Sequence, residues 1–282
     1  MGVNLARLWL LGGALLLVSC GGGRGAKHAG RNGSPEDLGL AGTPSETCGE
    51  CHAVVAAEWA AGTHADVPCA ACHVRDDVVL GTADFPDAPH AMEVLPRMEA
   101  WTVCLPCHTQ RGPGADVFID WLAWQQNTWR GATCVDCHQP VALRLEAAPP
   151  RPGFDHRMPG GGDLDTAKSG VTLRAIELKS DGFAFPIANK TGHRFPAAGT
   201  SKVEVFAQSL DAAGATVGQG TAWLRAGDGV DTRLLPGELR ALRFRFDGVE
   251  LAHTASYRVT VRYYRPDGQV LVLGARDQAL NE

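Results

Sequence analysis

Four times in the front half of the chain, two cysteines stand three positions apart with a histidine directly after the second. The motifs are CGECH (Cys48, Cys51, His52), CAACH (Cys69, Cys72, His73), CLPCH (Cys104, Cys107, His108) and CVDCH (Cys134, Cys137, His138). No other feature constrains the fold as strongly. The motifs use every cysteine of the 282-residue chain but one, Cys20, so none is left to pair as a structural disulfide. Zinc knuckles and thioredoxin-like redox pairs also use Cys-x-x-Cys. Neither needs a histidine after the second cysteine in every copy.

Cys-x-x-Cys-His is the attachment signature of c-type haem. Two thiols add across the vinyl groups on one porphyrin edge, and the following histidine supplies the proximal imidazole to the iron. On residues 48–138 the chain resembles the multihaem c-type cytochromes, as a tetrahaem member of that broad group. The resemblance implies four covalently bound haem c groups held by Cys48, Cys51, Cys69, Cys72, Cys104, Cys107, Cys134 and Cys137. His52, His73, His108 and His138 are then the proximal ligands.

Six-coordinate irons need four more axial ligands. His64 lies five residues before Cys69, a place that resembles the distal ligands which multihaem cytochromes put just before a motif; it is too close to its own downstream haem and suits a neighbour. His90 lies in DAPHAM and His156 in the Gly/Pro-bounded GFDHRMPGG. His193 lies in TGHRFP, which resembles a loop of multihaem cytochromes carrying a C-terminal β domain. There Gly192 is expected to free the backbone and Pro196 to stiffen the exit. His64, His90, His156 and His193 complete the count. His253 is a reserve, His28 lies in a tether, and Met92, Met98 and Met158 are weaker sulfur candidates.

The segments between motifs show short helical patterns, at 53–62 and 116–130, and few long apolar faces. Haem discs are expected to fill the core, with Trp59, Trp101, Trp121, Trp124 and Trp129 packed on them. From about 171 the apolar period becomes two: Phe183, Phe185 and Ile187; Val203, Val205 and Ala207; Leu242, Phe244 and Phe246; Val259, Val261 and Tyr263. RPDGQV marks a hairpin between 256–264 and 269–275. The expected class is α+β. A mostly helical and loop tetrahaem domain with a haem-filled core (48–169) precedes an immunoglobulin-like β-sandwich (170–282).

Arg7 followed by the apolar run Leu8–Val18 reads as a signal peptide (1–19), too short to span a bilayer. LVSC, ending at Cys20, resembles a bacterial lipobox, and lipidation would account for the ninth cysteine; a plain signal peptide with a stray thiol is the alternative. The Gly-rich stretch to residue 47 reads as a flexible tether reaching about 30 Å. Gly21, rather than aspartate, after Cys20 resembles the pattern of outer-membrane lipoproteins. The expected location is outside the cytoplasm, anchored by lipid to a periplasmic membrane face or the outer membrane. Net charge is −5 without a long basic run, which sets nucleic acid aside.

The leading expectation is a cell-envelope electron carrier rather than an enzyme, with four bis-histidine haems and a redox protein donor and acceptor. One alternative is a reductase of nitrite, hydroxylamine or a sulfur oxyanion with one open haem. The other is a structural or docking subunit of a larger cytochrome assembly.

Overall fold

A computed structural model describes residues 44–82, 88, 90–95, 103–104, 108, 119–121, 123, 133–145, 150–160, 162–197, 200–227 and 229–280. Cys20, Cys107, His28, Met98, Trp101, Trp124 and Trp129 lie outside them, as do the signal segment and the tether up to residue 43; the last expected tether residues, 45–47, instead open a helix. No helix among the described residues is long and apolar enough to cross a membrane.

Most of the expected helix at 116–130 lies outside the described residues. Among the described residues the helices of the haem-motif segment are short, at most about two turns: α1 (Ser45–Cys51), α2 (Ala53–Ala60), α3 (Cys69–His73) and α4 (Cys134–His138). Small sheets join them. The strands β1 (Val74–Arg75), β2 (Val78–Gly81) and β3 (Met92–Val94) form one sheet in that order, antiparallel and then parallel. The strands β4 (Val141–Arg144) and β5 (Arg151–Phe154) form an antiparallel ribbon.

The expected α+β class with a mostly helical haem domain is therefore wrong. Among the described residues strand accounts for 40% against 22% helix, and there are multiple sheets. The physical reason is that each motif needs only one helical turn to present its thiols. The intervening backbone closes its hydrogen bonds in tight ribbons instead. Asp76 and Asp77 both take positive φ, 50° and 59°, giving the two-residue turn that pairs β1 with β2.

After α5 (Leu164–Ser169) come β6 (Val171–Leu173), β7 (Glu177–Lys179), β8 (Gly182–Asn189), β9 (Lys202–Leu210), β10 (Thr216–Leu224) and β11 (Leu239–Arg245). The chain then runs through α6 (Gly248–His253), β12 (Ser256–Tyr264) and β13 (Val270–Ala279). One antiparallel sheet has the order β10-β9-β12-β13; the other has β11-β8-β6, with β7 also paired to β8. The inward residues of both meet in one core containing Phe183, Phe185, Ile187, Val203, Val205, Val259 and Val261, all fully buried. Burial along β9 alternates strictly up to its last pair of residues, which is why its sequence reads at period two. In β8 the outward Ala184 is also buried. The β12–β13 hairpin turns at Arg265–Gln269, with Gly268 at φ +86° and Arg265 N donating to Gln269 O at 2.9 Å.

Candidate haem-ligand site

The first, second and fourth motifs carry their histidine at or just beyond a helix end. His52 is the residue between α1 and α2, His73 ends α3 and His138 ends α4. Thr133 and Asp136 cap α4 reciprocally, with Thr133 N donating to Asp136 at 2.6 Å. Among the described residues no disulfide joins the motif cysteines. The thiols of Cys48 and Cys69 are hydrogen-bonded to each other, as are those of Cys104 and Cys134. Motif one thus meets motif two, and motif three meets motif four. Burial, then the neighbouring Cys69, pushes the Cys48 thiol up, and burial raises Cys137. The bond with Cys104 lowers Cys134.

Three of the expected proximal histidines face three of the expected distal ones. His73 and His156 stack with centroids 6.0 Å apart and planes 25° apart. His138 and His193 stack at 6.3 Å and 18°. His64 meets His108 edge-on at 6.0 Å and 71°. An imidazole centroid lies about 1 Å from its Nε2, and a metal–imidazole bond is about 2 Å, so two coaxial axial imidazoles on one metal stand about 6 Å apart. The three separations fit a metal between the rings. Among the described residues no group of three or more His, Cys, Asp or Glu side chains is placed to hold a metal ion by itself. Two imidazoles supply only two ligands, and a porphyrin supplies the remaining four, so the donor set suits haem and not a bare ion.

Hydrogen bonds orient the rings for that task. His73 Nδ1 donates to Leu80 O at 3.1 Å, His138 Nδ1 to Pro159 O at 2.8 Å, His156 Nδ1 to Phe154 O at 2.8 Å and His193 Nδ1 to Arg194 O at 2.9 Å. A carbonyl acceptor requires the proton on Nδ1 and puts the lone pair on Nε2. His64 Nδ1 lies 3.2 Å from Thr63 Oγ1. Burial is the main cause that holds His64 and His156 below the usual histidine range, which favours the neutral, ligating form.

Local sequence explains the placement. The β1–β2 turn brings Leu80 O to His73. The FDHRMP loop after β5 is a hub: it carries His156, offers Pro159 O to His138, and accepts Thr63 N on Arg157 O at 3.2 Å and Thr63 Oγ1 on Met158 O at 3.0 Å. Gly62 permits that approach, because a Cβ there would stand 2.5 Å from Arg157 O.

The loop after β8 presents His193, though not as its sequence suggests. Gly192 is not in the left-handed region. Buried Asn189 shapes the loop instead. Its Nδ2 donates to His193 O (2.8 Å), Leu234 O (3.1 Å) and Leu235 O (3.0 Å), while its Oδ1 accepts from Thr191 N and Oγ1, both at 2.8 Å. Buried Asp120, from between motifs three and four, accepts from Arg194 N at 3.0 Å and ties the loop to the haem-motif segment.

His52 and His90 are both described, but no ring contact between them is found among the described residues. His90 Nδ1 is buried without a hydrogen-bond partner. His253 is exposed at the end of α6. Met158 takes φ 46° within the hub loop, and Met92 lies on β3. Trp59 Nε1 donates to Val67 O at 2.9 Å, and Trp121 is buried. Sequence reasoning missed Thr63, Asn189, Asp120, Glu58 and Arg144. Asn189 at a strand end, two residues before a threonine, was a readable turn signal. The others act across chain separations that no local pattern marks.

No family model matches the chain, and no curated protein matches it. Among solved structures, it is similar to a penta-heme cytochrome c552 from Thermochromatium tepidum. The TM-score is 0.68 at 16% identity, over 86% of this chain and 100% of that one. At this identity the likeness is one of fold: the chain is folded like a multihaem cytochrome.

Proposed function

We propose that the protein is a tetrahaem electron carrier of the cell envelope, with its haems bis-histidine ligated. The observation that carries this reading is the set of three histidine pairs, 64/108, 73/156 and 138/193, at the separation two axial imidazoles require. Cys48, Cys51, Cys69, Cys72, Cys104, Cys107, Cys134 and Cys137 would hold the four groups. His52 and His90 remain for the fourth iron. Bound haem supplies a one-electron ferric/ferrous couple.

The chain's own residues do the rest. The carbonyls of Leu80, Phe154, Pro159 and Arg194 fix ring tautomers and orientation, so little rearranges when an electron arrives. Each of the three histidine pairs would fill both axial positions of a bound haem and leave substrate no vacant site there, which favours a carrier over a reductase. The thiol contacts between Cys48 and Cys69 and between Cys104 and Cys134 would bring the groups held by motifs one and two, and by three and four, close together. The domain division at 169/170, the lipid anchor at Cys20 and the redox protein partners belong to the same proposal.

The test is a haem count on the exported protein, with low-temperature EPR of the oxidised form. Four haems per chain, all low-spin, are expected. A native high-spin ferric signal would overturn the carrier reading. It would direct attention to the His52 haem and to assays with nitrite, hydroxylamine and tetrathionate.

A further inference from the structure

His156 has a distinctive environment beyond its ring. The carbonyl that accepts its Nδ1 proton, Phe154 O, also accepts from Arg144 Nη2. Arg144 is nearly buried, with its side chain 9% exposed, and it grips Glu58 of α2 with both arms. Nη1 donates to Oε1 at 2.6 Å and Nη2 to Oε2 at 2.7 Å. Glu58 Oε2 also accepts the backbone N–H of His156 at 3.1 Å. Strand β5 makes room for the guanidinium's stem at Gly153, where a Cβ would stand 2.6 Å from Arg144 Cγ. A fork-to-fork ion pair from two distant segments therefore closes around one histidine's supporting peptide.

A histidine's strength as a ligand depends on the hydrogen bond at its second nitrogen. The stronger the acceptor at Nδ1, the more imidazolate character the ring gains, and the more it stabilises ferric over ferrous iron. Two donors on one carbonyl compete for its electron density. The Arg144 guanidinium makes Phe154 O a poorer acceptor for His156, and its positive charge also disfavours the ferric state. Glu58 fixes the guanidinium and offsets part of that charge.

We propose that Arg144 is a redox-tuning residue, which raises the reduction potential of the haem held between His73 and His156 by sharing the Phe154 carbonyl. This rests on the axial pairing of those two histidines proposed above. The couple concerned is one electron onto ferric iron, with no bond made or broken and no proton transferred.

The test is spectroelectrochemical titration of the full haem-loaded chain, with EPR, for Arg144→Gln, Glu58→Gln and His156→Ala. Arg144→Gln is expected to lower one of the four potentials by at least tenfold in its reduction equilibrium, about 59 mV for one electron, with the low-spin spectrum retained. Glu58→Gln is expected to shift the same potential upward, because it leaves the cation uncompensated. Four unchanged potentials in a fully loaded, low-spin Arg144→Gln protein would overturn the proposal. If Arg144→Gln does not load four haems, Glu58→Gln decides, and no shift there overturns it equally. His156→Ala is read separately. A low-spin haem turning high-spin supports the pairing, and an unchanged spectrum overturns the pairing itself rather than the tuning.

Discussion

His138 and His193 lie nearly parallel, their planes 18° apart and their centroids separated by 6.3 Å. One comes from the turn of the fourth motif, the other from the loop that leaves β8 of the sheet region. Iron between them would cross-link the two parts of the chain. His193→Ala is therefore expected to leave the protein folded and the haem count at four. It should turn one of the four low-spin ferric signals high-spin, and it should admit exogenous imidazole or cyanide at that haem. Low-temperature EPR checks this, and an unchanged spectrum would remove His193 from the ligand set.

The loop around His193 depends on Asn189, which is 2% exposed and whose Nδ2 serves three carbonyls. Asn189→Ala would take one donor from each of those carbonyls, which keep Thr191 Oγ1, Phe195 N and Glu238 N, and would leave Thr191 N without its acceptor, a loss on the order of 2 kcal/mol. Asn189→Asp should fare no better, because it keeps the acceptor for Thr191 and loses every donor. Thermal unfolding of the loaded protein should show a lowered midpoint for both. A heterogeneous low-spin signal from one haem should accompany it as His193 takes several orientations.

Asp163 caps α5, its Oδ1 accepting Thr166 N at 2.7 Å. That backbone bond, first, and the Thr166 hydroxyl, second, hold its carboxyl below the usual aspartate range. A depressed carboxylate stabilises the fold fully above its unfolded pKa, about 3.9, and that contribution is lost as pH falls through the lower folded value. Asp163→Asn can still cap, so it should cost little at pH 7 and should flatten the stability loss below pH ~4. Asp163→Ala should cost about 1 kcal/mol at neutral pH. Denaturant unfolding at pH 7 and pH 3 separates the two variants. Equal acid sensitivity in wild type and Asp163→Asn would show that the cap's charge has no part in it.

Much of the β region was legible because burial imposes its period directly on residue choice. Val203, Val205 and Ala207 point inward and their neighbours do not, and Gly268 supplies a positive φ that hairpin turns favour. The front half was less legible. Few long apolar faces run through it, so the spacing that reveals helices and strands is missing, and nothing in the sequence singled out the Asp76-Asp77 turn between β1 and β2. The expected proximal histidines stand out in the sequence because haem attachment chemistry would fix their spacing. His64, His156 and His193 could be proposed only by counting the axial positions four haems would leave. Their partners could not, since pairing 73 with 156 and 64 with 108 is set by a loop closing over a distant turn.

That closure makes Gly62 the most exacting test of the hub. Its missing side chain lets the turn before His64 lie against the backbone of Arg157, where Thr63 N donates to Arg157 O and Thr63 Oγ1 to Met158 O. Gly62→Ala would put a methyl group 2.5 Å from Arg157 O, a backbone atom that cannot rotate away. The turn must lift, and both Thr63 bonds should break with it. His64 then moves relative to His108, while Pro159 and His156 lose the contact that braces their loop. The expected result is a perturbed axial geometry at more than one haem, visible as shifted or split low-spin g-values, together with a lowered thermal midpoint. Thr63→Val supplies the control. It keeps the backbone bond and the approach but removes the hydroxyl, so it should disturb the His64 haem alone. If Gly62→Ala alters only that one signal as well, the loop at 154–159 does not join these haems mechanically.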